Sequence, residues 1–121
     1  MCGIAGAVWL NPSREITAQT LQRMTDSIRH RGPDADGHYF WPQAEAQNRK
    51  SLPGGPGGRN VSGVALGHRR LSIIDVAGSA QPLGNEDDSV QIVFNGEIYN
   101  YRELREELLK AGHQFRTDGD T

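Results

Sequence analysis

Met1-Cys2-Gly3-Ile4-Ala5-Gly6-Ala7-Val8-Trp9-Leu10 is the stretch that decides how the rest of this chain is read. It is short and apolar, carries Gly3 and Gly6, and stops at Asn11-Pro12, the pattern of a buried strand running into a turn. The first residues are therefore tied into a core. The same stretch holds the chain's one cysteine, at position 2. A lone cysteine cannot build a disulfide framework or a cysteine-rich zinc site, so Cys2 is a packing residue, an intermolecular linker or a reactive thiol. Removal of the initiator methionine, which a small second residue favours, would put the thiol and a free α-amino group on one residue. Such an amine titrates near neutrality and can take the thiol's proton, so no separate histidine is needed.

Moving outward from Thr17, the residues Leu21, Met24 and Ile28 recur at helical spacing until Arg31-Gly32-Pro33-Asp34 stops the pattern. An amphipathic helix ending in a turn is expected there. Residues 37–41 and 64–66 read as strands. Between them, residues 42–62 are polar and include Pro53-Gly54-Gly55-Pro56-Gly57-Gly58, a composition that cannot offset its own ordering entropy. A mobile loop at a hairpin tip is the expectation. Residues 71–76 form a short apolar piece, Glu86-Asp87-Asp88 reads as a solvated turn, and residues 90–94 read as a strand. Asn100 with Glu103 three residues on resembles a capping box. Tyr101, Leu104, Leu108 and Ala111 then line one helical face, Gly112 ends the helix, and residues 114–116 read as a last strand. This order implies an α+β chain in which helices cover a sheet.

At 121 residues the chain makes one domain, and its 36% hydrophobic content with 15 glycines suits a globular fold with a loose segment. A net charge of −2, from 13 basic and 15 acidic residues, gives no field that would draw nucleic acid or an anionic membrane. Small-molecule chemistry is left as the default. No leader pattern opens the chain and no apolar run reaches membrane-spanning length, so a cytoplasmic protein with a reduced thiol is expected. The four histidines, His30, His38, His68 and His113, show no paired ligand spacing, so no metal is assigned. The glycines from Gly54 to Gly58 lack the Lys-Ser/Thr of a phosphate-cradling loop and read as linker.

Five motifs in order carry a resemblance. They are Met1-Cys2-Gly3-Ile4-Ala5-Gly6, Arg31-Gly32-Pro33-Asp34 with Gly37, His68-Arg69-Arg70-Leu71-Ser72-Ile73-Ile74-Asp75, Asn95-Gly96-Glu97-Ile98-Tyr99-Asn100, and Thr117-Asp118-Gly119-Asp120-Thr121. Together they resemble the N-terminal class II glutamine amidotransferase domain of the asparagine synthase family, within the N-terminal nucleophile hydrolases. Pro33-Asp34 resembles the asparagine synthase branch in particular. The resemblance implies a four-layer αββα sandwich, incomplete at the C-terminus, spanning residues 1–121.

It also implies roles. Cys2 would attack the side-chain amide of glutamine, and the amide of Asn95 with the backbone N–H of Gly96 would receive the oxyanion that forms. Arg70 would grip the α-carboxylate in a two-pronged hydrogen bond. Asp120 would take the α-ammonium, with Glu97, Leu71 and Ile73 as further contacts. Read alone, Asn95-Gly96 is a turn dipeptide and Asp120 a helix cap. Arg69 reads as a solvated charge.

The implied activity is hydrolysis of glutamine to glutamate and ammonia, which feeds asparagine synthesis or a related amidation. The domain itself would need no cofactor; ATP and magnesium would belong to a synthetase domain that this stretch does not contain. A glutamine-binding regulatory fragment and an inactive remnant are the other two readings. The partners expected are glutamine and the synthetase domain, with oligomeric state open and a homodimer among the options. The 121-residue chain by itself is expected to be marginally folded and weakly active, with a bare apolar sheet face and Asp120 loose beside a fraying end.

Overall fold

A computed structural model describes residues 2–41, 62–71 and 80–121. Three antiparallel strands form its main sheet: β1 (Gly3–Trp9), β2 (Ala35–Trp41) and β3 (Gly63–Arg70), in the order β1-β3-β2. The opening apolar stretch is thus an edge strand, paired with β3 from Gly3↔Arg69 to Trp9↔Gly63. β2 pairs with β3 from Ala35↔Arg70 to Trp41↔Val64. Residues 42–62 therefore join the two ends of a hairpin, as the sequence implies; the loop expected there lies almost wholly outside the described residues.

Helix α1 (Ala18–Ser27) covers one face of this sheet. Thr17 caps it by accepting the Thr20 N–H at 3.1 Å, and its periodic residues turn inward so that Leu21 and Thr25 are fully buried. The core gathers Trp9, Leu21 and Ala65, with Ala7, Ile16 and Phe40 packed against it. Because side chains alternate across a strand, the paired register puts Ile4, Val8, Val64, Leu66, Tyr39 and Trp41 on the opposite face. There Ile4 is 45% and Val8 63% exposed. Cys2, His68 and Arg70 fall on that second face too, at its Gly3/Arg70 end.

Beyond the sheet, β4 (Leu83–Gly84) and β5 (Gln91–Ile92) make a two-stranded hairpin. Its turn is closed by Asn85, whose N–H donates to Val90 O and whose side-chain Oδ1 accepts the Val90 N–H, and has Asp88 in the left-handed region at φ 58°. The strand expected over 90–94 is shorter than the sequence implies. The Phe94 N–H leaves the ladder and donates instead to Gln81 Oε1 at 2.6 Å.

Helix α2 (Tyr101–Lys110) begins where expected, but the capping box does not form. Asn100 has turn-like backbone angles, φ −96° and ψ 23°, and not the extended conformation that aims a cap side chain back over the first amides. At the other end Gly112, at φ 97°, closes the helix. Its N–H donates to Leu109 O at 3.1 Å and the His113 N–H to Leu108 O at 3.0 Å, a paired arrangement that only a left-handed residue permits. The apolar face of α2 stays half open, with Leu104 and Leu108 40% and 41% exposed.

The strand expected over 114–116 is absent. Arg116 instead forks onto Asp88 at 2.7 and 3.0 Å, His113 meets Glu86 at 2.7 Å, and the Arg105 guanidinium lies 4.5 Å from the Phe115 ring centroid. These side chains fix the segment against the β4–β5 turn and α2, so its backbone takes no strand partner. The acidic turn 86–88 is a docking point as well as a solvated corner. The fold is α+β with small sheets, and among the described residues no helix is long and apolar enough to cross a membrane.

Candidate active site

Cys2 sits at the mouth of β1, half-buried, with its backbone and sulfur both held. The Arg31 Nε–H donates to Cys2 O at 3.3 Å, and the Leu71 N–H donates to Cys2 Sγ at 3.4 Å. Arg31 lies in a 3₁₀ turn (Arg29–Arg31) that follows α1, so the Arg-Gly-Pro-Asp motif anchors the cysteine from below the sheet. The sequence flagged this motif without a job for it.

A cavity of about 380 Å³ opens beside the thiol. Its lining includes Cys2 just before β1, His68, Arg70 and Leu71 from β3 and its exit, Asn95, Gly96 and Glu97 from the segment after β5, and Asp120 near the chain end. Seven of the eight residues singled out from sequence thus share one cavity; Ile73 lies outside the described residues. Asn95-Gly96 is not a hairpin turn, because only a bend at Gly96 separates it from the approach to α2. Gly96 has a steric reason to lack a side chain: a Cβ there would sit 2.7 Å from the Phe94 ring. Asp120 does not hang loose, since its Oδ2 accepts the Ile98 N–H at 2.9 Å and so ties the chain end to the Asn-Gly-Glu-Ile segment.

Arg69 and Arg70 part company as β3 alternates. Arg70 faces the cavity, whereas Arg69 is no solvated charge: it is 5% exposed, donates from Nε to Gly32 O at 3.1 Å, and lies 3.6 Å from Asp36 and 3.9 Å from Asp26. A guanidinium on the helix-covered face must be paired, and the acidic residues of α1 and β2 do this.

Sequence reasoning missed six lining residues, His68, Gln81, Phe94, Tyr99, Gly119 and Thr121. His68 is 1% exposed and its ring lies near the Phe94 backbone, while Nε2 has no hydrogen-bond partner. Burial pushes its pKa below the ordinary value, and the neighbouring Arg70 charge adds to this; the nearby Phe94 backbone opposes them without prevailing. The imidazole is thus neutral at pH 7. His68, Phe94, Tyr99, Gly119 and Thr121 lay within or beside quoted motifs, but nothing in the sequence marked Gln81.

A thiol, a guanidinium, two carboxylates and amide donors line one water-accessible pocket, the features of a candidate small-molecule site. A family model described as "Glutamine amidotransferase domain" matches residues 1–121, and the chain belongs to that family. It is 42% identical, over its whole length, to "Asparagine synthetase [glutamine-hydrolyzing] 1" of Bacillus subtilis, and covers 16% of that protein. It is 40% identical to "Putative asparagine synthetase [glutamine-hydrolyzing]" of Mycobacterium bovis, with 99% of this chain and 18% of that one covered. Against "Asparagine synthetase [glutamine-hydrolyzing] 1" of Arabidopsis thaliana the identity is 37%, with 99% of this chain and 17% of that one covered. The chain thus spans less than a fifth of the length of these relatives. No solved structure matches it significantly.

Proposed function

We propose that this domain hydrolyses glutamine to glutamate and ammonia with Cys2 as the nucleophile. The observation that carries the reading is the convergence of Cys2, Arg70, Asn95, Gly96 and Asp120, from four separated segments, on one cavity. With Met1 removed, the Cys2 α-amine takes the thiol proton and the sulfur attacks the side-chain amide carbon. The carbonyl oxygen becomes an oxyanion held by the Asn95 amide and the Gly96 N–H. The amine passes its proton to the leaving nitrogen, the C–N bond breaks, and ammonia departs from a thioester. Water then attacks the thioester with the amine again as base, releasing glutamate and the thiol. Arg70 holds the α-carboxylate and Asp120 the α-ammonium; Glu97, Leu71 and Ile73 complete the substrate contacts.

In a longer chain the ammonia feeds a synthetase domain that uses ATP and magnesium to make asparagine or a related amide. The names of the relatives support this. The same reading makes the main sheet, with α1 on one face, half of a four-layer αββα sandwich, in which a second sheet would pack on the face bearing Ile4 and Val8. Support comes from the half-exposed apolar side chains there.

The test is glutamate release together with synthesis from glutamine or from free ammonia. Cys2→Ala is expected to abolish glutamate release and glutamine-dependent synthesis while ammonia-dependent synthesis continues. Arg70→Ala raises KM for glutamine, and Asn95→Ala lowers kcat by about 10²–10³-fold. Equal loss with both nitrogen sources in Cys2→Ala contradicts the division of labour.

A further inference from the structure

Asn95, Gly96 and Asp120 stand on irregular backbone, where no strand or helix fixes them, yet the chemistry assigned to them tolerates little misplacement. One side chain reaches both. Gln81 Oε1 accepts the N–H of Phe94, the residue before Asn95, at 2.6 Å. Its other end, Nε2, donates to Oγ1 of Thr121, the residue after Asp120, at 3.3 Å. Gln81 also lines the cavity itself.

Its own position is fixed from β2. The carbonyl of Gln81 lies where a Cβ on Gly37 would be, so position 37 has room for it only as glycine. Gly37 pairs with His68 across the sheet, and the His68 ring lies near the same Phe94 backbone that Gln81 holds. The Phe94 N–H is thereby held by a side chain in place of a ladder partner.

We propose that Gln81 is a positioning residue for the site, aligning the oxyanion donors through Phe94 and the ammonium-binding carboxylate through Thr121. The inference rests on the glutaminase reading of the cavity. An amide serves both ends; a carboxylate can also accept from the Phe94 N–H and, once the Thr121 hydroxyl turns, from its O–H, whereas an alkyl side chain loses both.

The experiment measures kcat and KM for glutamate release in Gln81→Leu, Gln81→Glu and Thr121→Val, with Cys2→Ala as the zero and thermal unfolding as the check on folding. Gln81→Leu is expected to lose about 10²-fold in kcat, the scale of a misplaced reacting group. Gln81→Glu recovers at least about tenfold of that loss, because Phe94 keeps its acceptor and the Thr121 hydroxyl can donate to the carboxylate. Thr121→Val raises KM with kcat within about twofold of the parent. Gln81→Leu with near-parental kcat overturns the proposal, as does Gln81→Glu no faster than Gln81→Leu. Should Gln81→Leu fail to fold, Thr121→Val decides: unchanged KM overturns the proposal. If Cys2→Ala still releases glutamate, the site reading itself has failed; if Cys2→Ala is dead while Gln81→Leu turns over normally, only the positioning role has.

Discussion

His68 was visible in the sequence only as an unpaired histidine inside a motif, because burial and a missing hydrogen-bond partner are tertiary facts. In the fold it is a neutral imidazole against Arg70 and the Phe94 backbone. Its pKa lies below the ordinary 6.5 in the folded chain, so between the two values the unfolded chain binds a proton that the folded chain refuses. The stability that His68 contributes is therefore complete above about pH 6.5 and is lost as pH falls through the lowered folded value. Thermal unfolding from pH 5 to 7.5 is expected to show the melting temperature falling on the acid side, with a smaller fall in His68→Asn. Glu97 and Asp120 line the same cavity and remain in that variant, so the difference isolates the imidazole. An unchanged acid slope in His68→Asn would assign the effect elsewhere. Chemically distinctive residues were more legible: Cys2, Arg70, Asn95 and Asp120 announced themselves through motif position. Gln81 did not, since an amide that bridges two backbone segments leaves no local signature.

Among the elements, periodicity found those that pack on a neighbour over their own length. β1, α1 and the β2–β3 hairpin all have an apolar side buried along a continuous partner, and all lie close to where the sequence put them. The misreadings fall where side chains substitute for ladder partners. Phe94 bonds to Gln81, and Arg116 bonds to Asp88, so neither expected strand extends there. A pattern of alternating residues carries no information about such a diversion. The α1–sheet contact is the mechanical base of the site, because the turn that follows α1 carries Arg31 to Cys2. Leu21, fully buried at the centre of that contact, is the side chain to remove. Leu21→Ala is expected to cost about 2–5 kcal/mol in urea unfolding, the range for a leucine lost from a packed core. A cost below about 1 kcal/mol would mean that α1 is docked by its polar contacts instead.

At the scale of the whole molecule, the sheet is covered by α1 on one side and presents Ile4 and Val8 half-exposed on the other. Apolar side chains clustered on one sheet face favour association in water. The 121-residue chain is expected to self-associate with rising concentration in sedimentation velocity runs, and Val8→Glu is expected to shift it toward monomer. A parent chain that stays monomeric across the range would show that this face is adequately covered. The expectation of a loose chain end, by contrast, fails on the Asp120–Ile98 hydrogen bond and the Gln81–Thr121 contact, which draw the last residues into the cavity. The most direct test of the account is intact-mass and peptide-mapping analysis of the protein after treatment with a glutamine analogue whose side chain carries an electrophilic carbon in place of the amide. The account predicts one adduct, on Cys2 of chains that lack Met1, suppressed by free glutamine and absent from Cys2→Ala. Labelling at another residue, or an adduct on Cys2 in chains that retain Met1, would contradict it.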